Sequence, residues 1–439
     1  MSSLNPLLVK ILLIALLTLV LLVPLSKVES LIAERAKLRD SAVERVAHGV
    51  GHAQSIGAVM MIIPVTRTWR VNGKECSVTH YHRLLASSVD IVGSVGTELR
   101  KSGIYTVPAF RANLHIAGSI SDDMLMTVLA PEPGVKKQIG ALTLFLAVSD
   151  PSGIRALDGI RVDDNLVPVS AATSDGLQGV SAELIGVDLH TPRRWAFAAD
   201  LVISGTERLQ FLPFAEVTHV NLNSPWPDPS FSGAFSPNGA PQVGPRGFAA
   251  DWRVLQINRD YAQIWADQEV GQQQIEKSAF GVDFYQPVDV YQRDYRAIHY
   301  AVLFIALTFM ALFLWEHTLG AAVHAMQYAM IGAALSVFYL VLLAVSEHLN
   351  FAGSYTLAAS AMTLLLAVYF SGVLKSRAAG LLTGALAGVC YSLLYLLVLS
   401  EDYALLFGAL AVFFLLAGIM IGTRKLDWYR LAESRKPRT

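Results

Sequence analysis

The chain has 439 residues, of which 53% are hydrophobic and only 16% charged, and a mean hydropathy of +0.45. This is too apolar for an ordinary soluble protein of that length and marks a membrane protein. A formal net charge of -1 supplies no basic excess, so a nucleic-acid partner is not expected.

The first apolar run, Leu7 to Leu25, carries Lys10 near its start and has no small-x-small cleavage site after it. It reads as an uncleaved signal-anchor helix over 1–25, with a cleaved signal peptide as the alternative. Over 26–56, Val28, Leu31, Ile32, Val43 and Val46 recur at helical spacing among charges, which predicts an amphipathic helical stalk leaving the membrane. Beyond Gly57 the texture changes to short runs with two-residue alternation, such as "AVMMIIPV", "ALTLFLAVS" and "RWAFAADLVISG", punctuated by Asn72-Gly73 and Asn238-Gly239. Residues 57–297 are therefore predicted to form a β-rich domain, an antiparallel sandwich or barrel-like fold. Alternation separates a buried from a wet face and leaves strand order open.

Five more runs of spanning length follow, at 298–315, 326–345, 355–374, 379–399 and 403–422, and a basic tail occupies 423–439. The predicted fold class is thus an α + β membrane protein. One N-terminal and five C-terminal transmembrane helices make six, with the β domain inserted between helices 1 and 2. Lys10, Lys375, Arg377 and the tail fall on one side, whereas the opposite short loops hold no Lys or Arg. The positive-inside rule then places both termini in the cytoplasm and the β domain outside.

Two outer turns carry acids: Glu347 with His348, and Glu401 with Asp402. Side by side, these turns would form an ionisable cluster able to bind a cation, relay protons or sense pH. The plainer reading is two solvated or domain-docking turns. The connector into span two, with Gln286, Pro287, Asp289, Tyr291 and Arg296, is placed to transmit orientation between domain and membrane, or to serve as a stiff, aromatic-anchored stalk. In "NSPWPDPSF", Trp226, Asp228 and Phe231 form a candidate binding loop in which an indole stacks on a sugar or partner side chain. The plainer alternative is a Trp that plugs the β core. Gly380, Gly384 and Gly388, and again Gly418 and Gly422, recur at four-residue spacing and suit close helix packing. Cys76, His80 and His82 alternate along a predicted strand, with His48 and His52 nearby in sequence. No third ligand is evident, so neither a metal nor another cofactor is expected. Cys390 lies in an apolar run and does not pair with Cys76.

"RKSGIYTVPAFRANLHIAGSI", "VTHVNLNSPWPDPSFSGAF", "GFAADW", "FYQPVDVYQRDYRAIHYAVLFIALTFM", "FYLVLLAVSEHLNF", "SEDYALLFG" and "TRKLDWY" together resemble the CreD family of bacterial inner-membrane, or cell envelope integrity, proteins. The resemblance runs from about Glu34 to Tyr429; Met326 stands where the family's pattern has a proline. It implies a multi-pass inner-membrane location, a periplasmic domain, and a setting of envelope integrity, colicin tolerance and, in some bacteria, β-lactam response. No reaction is attached to the family, and the chain lacks the common hydrolase, metalloprotease, phosphate-loop and dinucleotide motifs. The expected function is a non-enzymatic envelope protein whose outer domain binds or monitors a periplasmic component. The alternatives are a transporter or lipid-handling protein, and an interaction scaffold. Expected partners are the lipid bilayer and a periplasmic, cell-wall or envelope-protein component.

Overall fold

A computed structural model describes residues 6–121, 130–184, 194–284, 290–319, 323–373 and 376–400, with isolated positions inside 126–128 and 406–420. The chain divides into two units, one made of residues 1–38 with 288–439 and the other of residues 39–287. The division falls inside the first helix, α1 (Pro6–Val50). The predicted anchor and stalk are therefore one 45-residue helix. At 1.5 Å per residue it is roughly 68 Å long, about twice the hydrocarbon thickness of a bilayer. It stops at Val50, not at residue 56. Gly51 adopts φ +119°, and a Cβ there would lie 2.6 Å from the Ser204 carbonyl oxygen, so only glycine makes this exit.

Residues 39–287 build two sheets on one hydrophobic core. The first strands are β1 (Gln54–Val71), β2 (Lys74–Leu84), β3 (Ala86–Ser102), β4 (Tyr105–Ser121), β5 (Val135–Ile139) and β6 (Leu142–Val148). Among the described residues one sheet runs 170–174, 177–184, β6, β1, 208–212, 280–283, 230–233, with β2 and β5 also on β1. The other runs 242–244, 247–255, 215–224, β3, β4, 194–206, 160–162, 165–167. Phe110, Phe145, Phe211, Phe214, Trp252, Phe280 and Phe284 are among the largest fully buried side chains.

The sandwich is not purely antiparallel, as predicted, but mixed: β1 pairs in parallel with 208–212, and β3 with 215–224. A shared corner accounts for the second of these pairings. The chain passes from the first sheet to the second at Leu85, and again at Pro213 and Phe214; both second-sheet strands leave that corner in the same direction. Buried Gln263 ties it together, because its Nε2 donates to the carbonyls of Leu85 (3.0 Å) and Ala86 (2.7 Å). Its Oε1 accepts from the buried Arg259 guanidinium, whose other nitrogen donates to Tyr261 O and Ala262 O. The Tyr261 hydroxyl reaches Pro213 O at 3.3 Å.

The helical unit follows the short helix α2 (Gln272–Glu276) of the β domain. It comprises the first part of α1 with α3 (Val290–His299), α4 (Ala301–Leu319), α5 (Ala325–Ser346), α6 (Phe351–Val373) and α7 (Arg377–Leu399). At the start of α5, His324 Nδ1 accepts from the Met326 backbone N–H and Gln327 reaches back to the His324 N–H. A proline at 326 lacks that N–H, so this chain's histidine cap goes with its methionine. Four described helices are long and apolar enough to cross a membrane: α1, α5, α6 and α7. The predicted span 298–315 starts too early: Ile298 and His299 end α3, and the span lies in α4 from Ala301, where the apolar helix Ala301–Met310 is shorter than a spanning length. Most of 403–422 lies outside the described residues.

Candidate functional site

One end of the bundle gathers polar groups from three elements. Asp294, on the second turn of α3, is only 2% exposed and accepts a 2.7 Å hydrogen bond from the Ser346 hydroxyl at the end of α5. The next residue, Glu347, caps α5, and its Oε1 lies 3.4 Å from Arg35 Nε of α1. Both helices that lead out of the bundle, α1 and α3, are thus fastened to the same helix end. Arg293 lies over the Phe351 ring, 5.5 Å from its centroid. A carboxylate buried this deeply is costly unless hydrogen-bonded or paired, which marks the Asp294 position as a constrained one.

A second polar group lies elsewhere in the same unit. Lys10 forms an ion pair with Glu316 and donates to Val323 O, and the Tyr328 hydroxyl donates to Glu316 at 3.3 Å. Lys10 and Arg35 sit 25 residues apart on α1, roughly 38 Å along its axis. That is the separation expected of two membrane faces. Between them, a cavity of about 60 Å³ is lined by residues such as Phe304, Leu335, Tyr339, Phe370 and Tyr391, with no Asp, Glu, Lys or Arg among the described residues of its lining.

The structure redistributes the predicted site residues. Glu347 is in the cluster with Arg35 and Ser346, and His348 is exposed beside it, while Glu401 and Asp402 lie outside the described residues. Gln286, Pro287 and Asp289 also lie outside them. Of the remaining connector residues, Tyr291 is buried at 8% exposure and Arg296 is half-buried on α3. Trp226 packs against the β core, edge-on to Phe284, and donates its indole N–H to Asp228 O at 2.9 Å. Phe231 packs edge-on against Phe248 and Trp252. Asp228 itself is exposed. Gly380 and Gly384 face α6 so closely that an added Cβ would lie 2.5 Å from Ala367 O and 2.8 Å from Ala367 Cβ. Gly388 is looser, at 3.9 Å from Thr363 Cγ2, and Gly418 and Gly422 are outside the described residues.

His80 pairs with Asp267 at 2.6 Å, and burial pushes the His82 imidazole pKa down. Among the described residues Cys76, His80 and His82 do not form a cluster with metal-ligand spacing, whereas Glu44, His48 and His52 each place one carboxylate or imidazole atom within 4.8 Å of the others. His52 is raised by its hydrogen bonds to Asp150 and then Glu44. Burial pushes the Asp150 carboxyl up, but the His52 and Ser152 donors together outweigh it and hold it at about 2. Because the folded pKa is below the ordinary 3.8, the stability this carboxylate contributes is present above pH 4 and lost as pH falls toward 2. The melting-temperature gap between wild type and Asp150→Asn is expected to hold above pH 4 and to narrow from pH 4 toward pH 2. A constant gap refutes that assignment.

Sequence reasoning missed Asp294 and Arg35, since nothing in their local spacing sets them apart. It also missed Glu44, whose signal was present: an acid four residues before His48 and eight before His52.

The CreD family model, described as "Inner membrane protein CreD", matches residues 6–429. The chain belongs to the CreD family. It is 30% identical over 418 residues to inner membrane protein CreD of Escherichia coli K12, covering 94% of this chain and 91% of that protein. A solved structure titled a "putative protease" from Parabacteroides distasonis aligns at 9% identity and a TM-score of 0.24, over 58% of this chain and 57% of that one. A likeness that low carries no argument. Family membership and the apolar helices make this a multi-pass inner-membrane protein.

Proposed function

We propose that this CreD-family chain is a non-enzymatic envelope protein in which the β domain binds or monitors a periplasmic or cell-wall component and the bundle anchors that domain and relays its state. The observation that carries the reading is the double fastening at the end of α5. Arg35 holds the helix that leads into the domain, and Asp294 lies on the helix that follows it. A change in either connection therefore acts on one shared point, the Ser346-Glu347 terminus. In this reading the chain spans six times with both termini cytoplasmic, the domain is periplasmic, and the function is envelope integrity under stress. The Lys and Arg distribution over Lys10, Lys375, Arg377 and the tail, against short opposite loops without Lys or Arg, supports that orientation.

The test is replacement of the native gene by an Asp294→Leu/Glu347→Gln variant, with survival measured on detergent, colicin and a β-lactam. Membrane levels equal to wild type with deletion-like sensitivity are expected, while exposed Glu34→Gln behaves as wild type. Wild-type survival of the double variant at wild-type levels overturns the relay.

A further inference from the structure

We propose that Glu44, His48 and His52 form a binding site for a divalent transition-metal ion of the zinc class, with Asp150 fixing His52 in its ligating form. Glu44 and His48 are one turn apart on α1 and share a face. The helix then ends and Gly51, at φ +119°, turns the chain so that His52 folds back toward the last turn. That end is held firmly, since Arg155 Nη2 donates to the carbonyls of Gly49 (3.1 Å) and Val50 (2.6 Å). Thr206 donates through its hydroxyl to Gly51 O at 3.2 Å.

Asp150 provides the deciding geometry. Its Oδ2 accepts from the His52 backbone N–H at 2.8 Å and lies 2.7 Å from the His52 Nδ1, while its Oδ1 accepts from the Ser152 N–H at 3.0 Å. With the Nδ1 proton directed at Asp150, a neutral His52 ring presents a lone pair at Nε2. That Nε2 faces Glu44 Oε1 at 3.1 Å, and His48 Nε2 faces the same oxygen at 3.6 Å. All three ligand atoms lie within 4.8 Å of one another. Two acceptors facing each other need a positive charge between them: an added proton on His52, or a cation shared by all three groups. Two imidazoles and a carboxylate are a zinc ligand set that leaves a coordination position for water, and a carboxylate behind one histidine is the usual support of such a site. Glu44 and His48 are 57% and 72% exposed, so both side chains have room to close to bonding distance.

The experiment uses the full chain in detergent, without a polyhistidine tag and after chelator treatment. Zn²⁺ is titrated in competition with a chromophoric chelator, and Co²⁺ is followed by its visible absorption. One equivalent of either ion is expected in the wild type. His48→Gln, exposed and therefore harmless to folding, is expected to lower Zn²⁺ affinity by about tenfold or more, and Asp150→Asn by about 10- to 100-fold. His80→Gln is expected to leave binding unchanged. Equal Zn²⁺ affinity and Co²⁺ spectra in wild type and His48→Gln, or no stoichiometric uptake by the wild type, overturns the site and leaves a protonated histidine paired with two carboxylates.

Discussion

Gln263→Leu is expected to lower the melting temperature of the β domain by roughly 10 °C. The substitution keeps most of the volume but removes the amide that donates to Leu85 O and Ala86 O, and the oxygen that accepts from Arg259. Each buried polar group left without its partner costs about 1–3 kcal/mol, and more when the group is charged. Their sum is about 3–5 kcal/mol, and each kcal/mol moves the melting point of a domain this size by about 2–4 °C. The loss falls on the corner where both sheets exchange strands, so it is felt across the whole sandwich. The exposed Gln242→Leu serves as control. If the two variants melt together, the corner is held by other contacts and Gln263 is incidental.

Gly380→Leu is expected to pry α7 from α6. An added Cβ would meet Ala367 O at 2.5 Å, Ser371 Cβ at 2.6 Å and Ser371 N at 2.8 Å. Two of those atoms are backbone and cannot rotate away, so the helices must separate, at a cost of about 1–3 kcal/mol or more. In lipid the apolar solvent offers no compensating drive to hold the helices together; close packing is the main attraction and is what the side chain removes. Cys390, half-buried on α7, reports the change through its rate of reaction with a thiol-specific dye in a Cys76→Ser background. Faster labelling and a lower melting midpoint are expected for Gly380→Leu, and a much smaller change for Gly388→Leu. Equal effects at both positions would mean that the four-residue glycine stripe, and not the close approach at its first member, governs packing.

These two positions differ in how far sequence reading reaches. Gly380 was visible because small residues at four-residue spacing mark one helical face, and the face they share is a property of the helix alone. Gln263 was invisible, because a glutamine between "DYA" and "IWA" looks like any loop polar residue until the corner at Leu85 closes over it. Trp226 lies between these cases. Its flanking prolines marked a stiff loop, but only the fold puts its ring against Phe284.

The same division holds for the whole chain. By itself the sequence determined the membrane class, four membrane-length apolar helices and the β texture that begins near Gly57, because hydropathy and side-chain period are local quantities summed over neighbouring residues. It ran the β domain on to 297, whereas the last described strand ends at Asp283 and Val290–His299 is the helix α3 of the other unit. The sequence motifs also reached the family. Only the tertiary structure decided the parallel pairings and the polar clusters. Ser346 meets Asp294 across 52 residues, and His52 meets Asp150 across 98. Such contacts depend on how separate elements pack and on which strands cross between sheets, and no window along the chain contains that information.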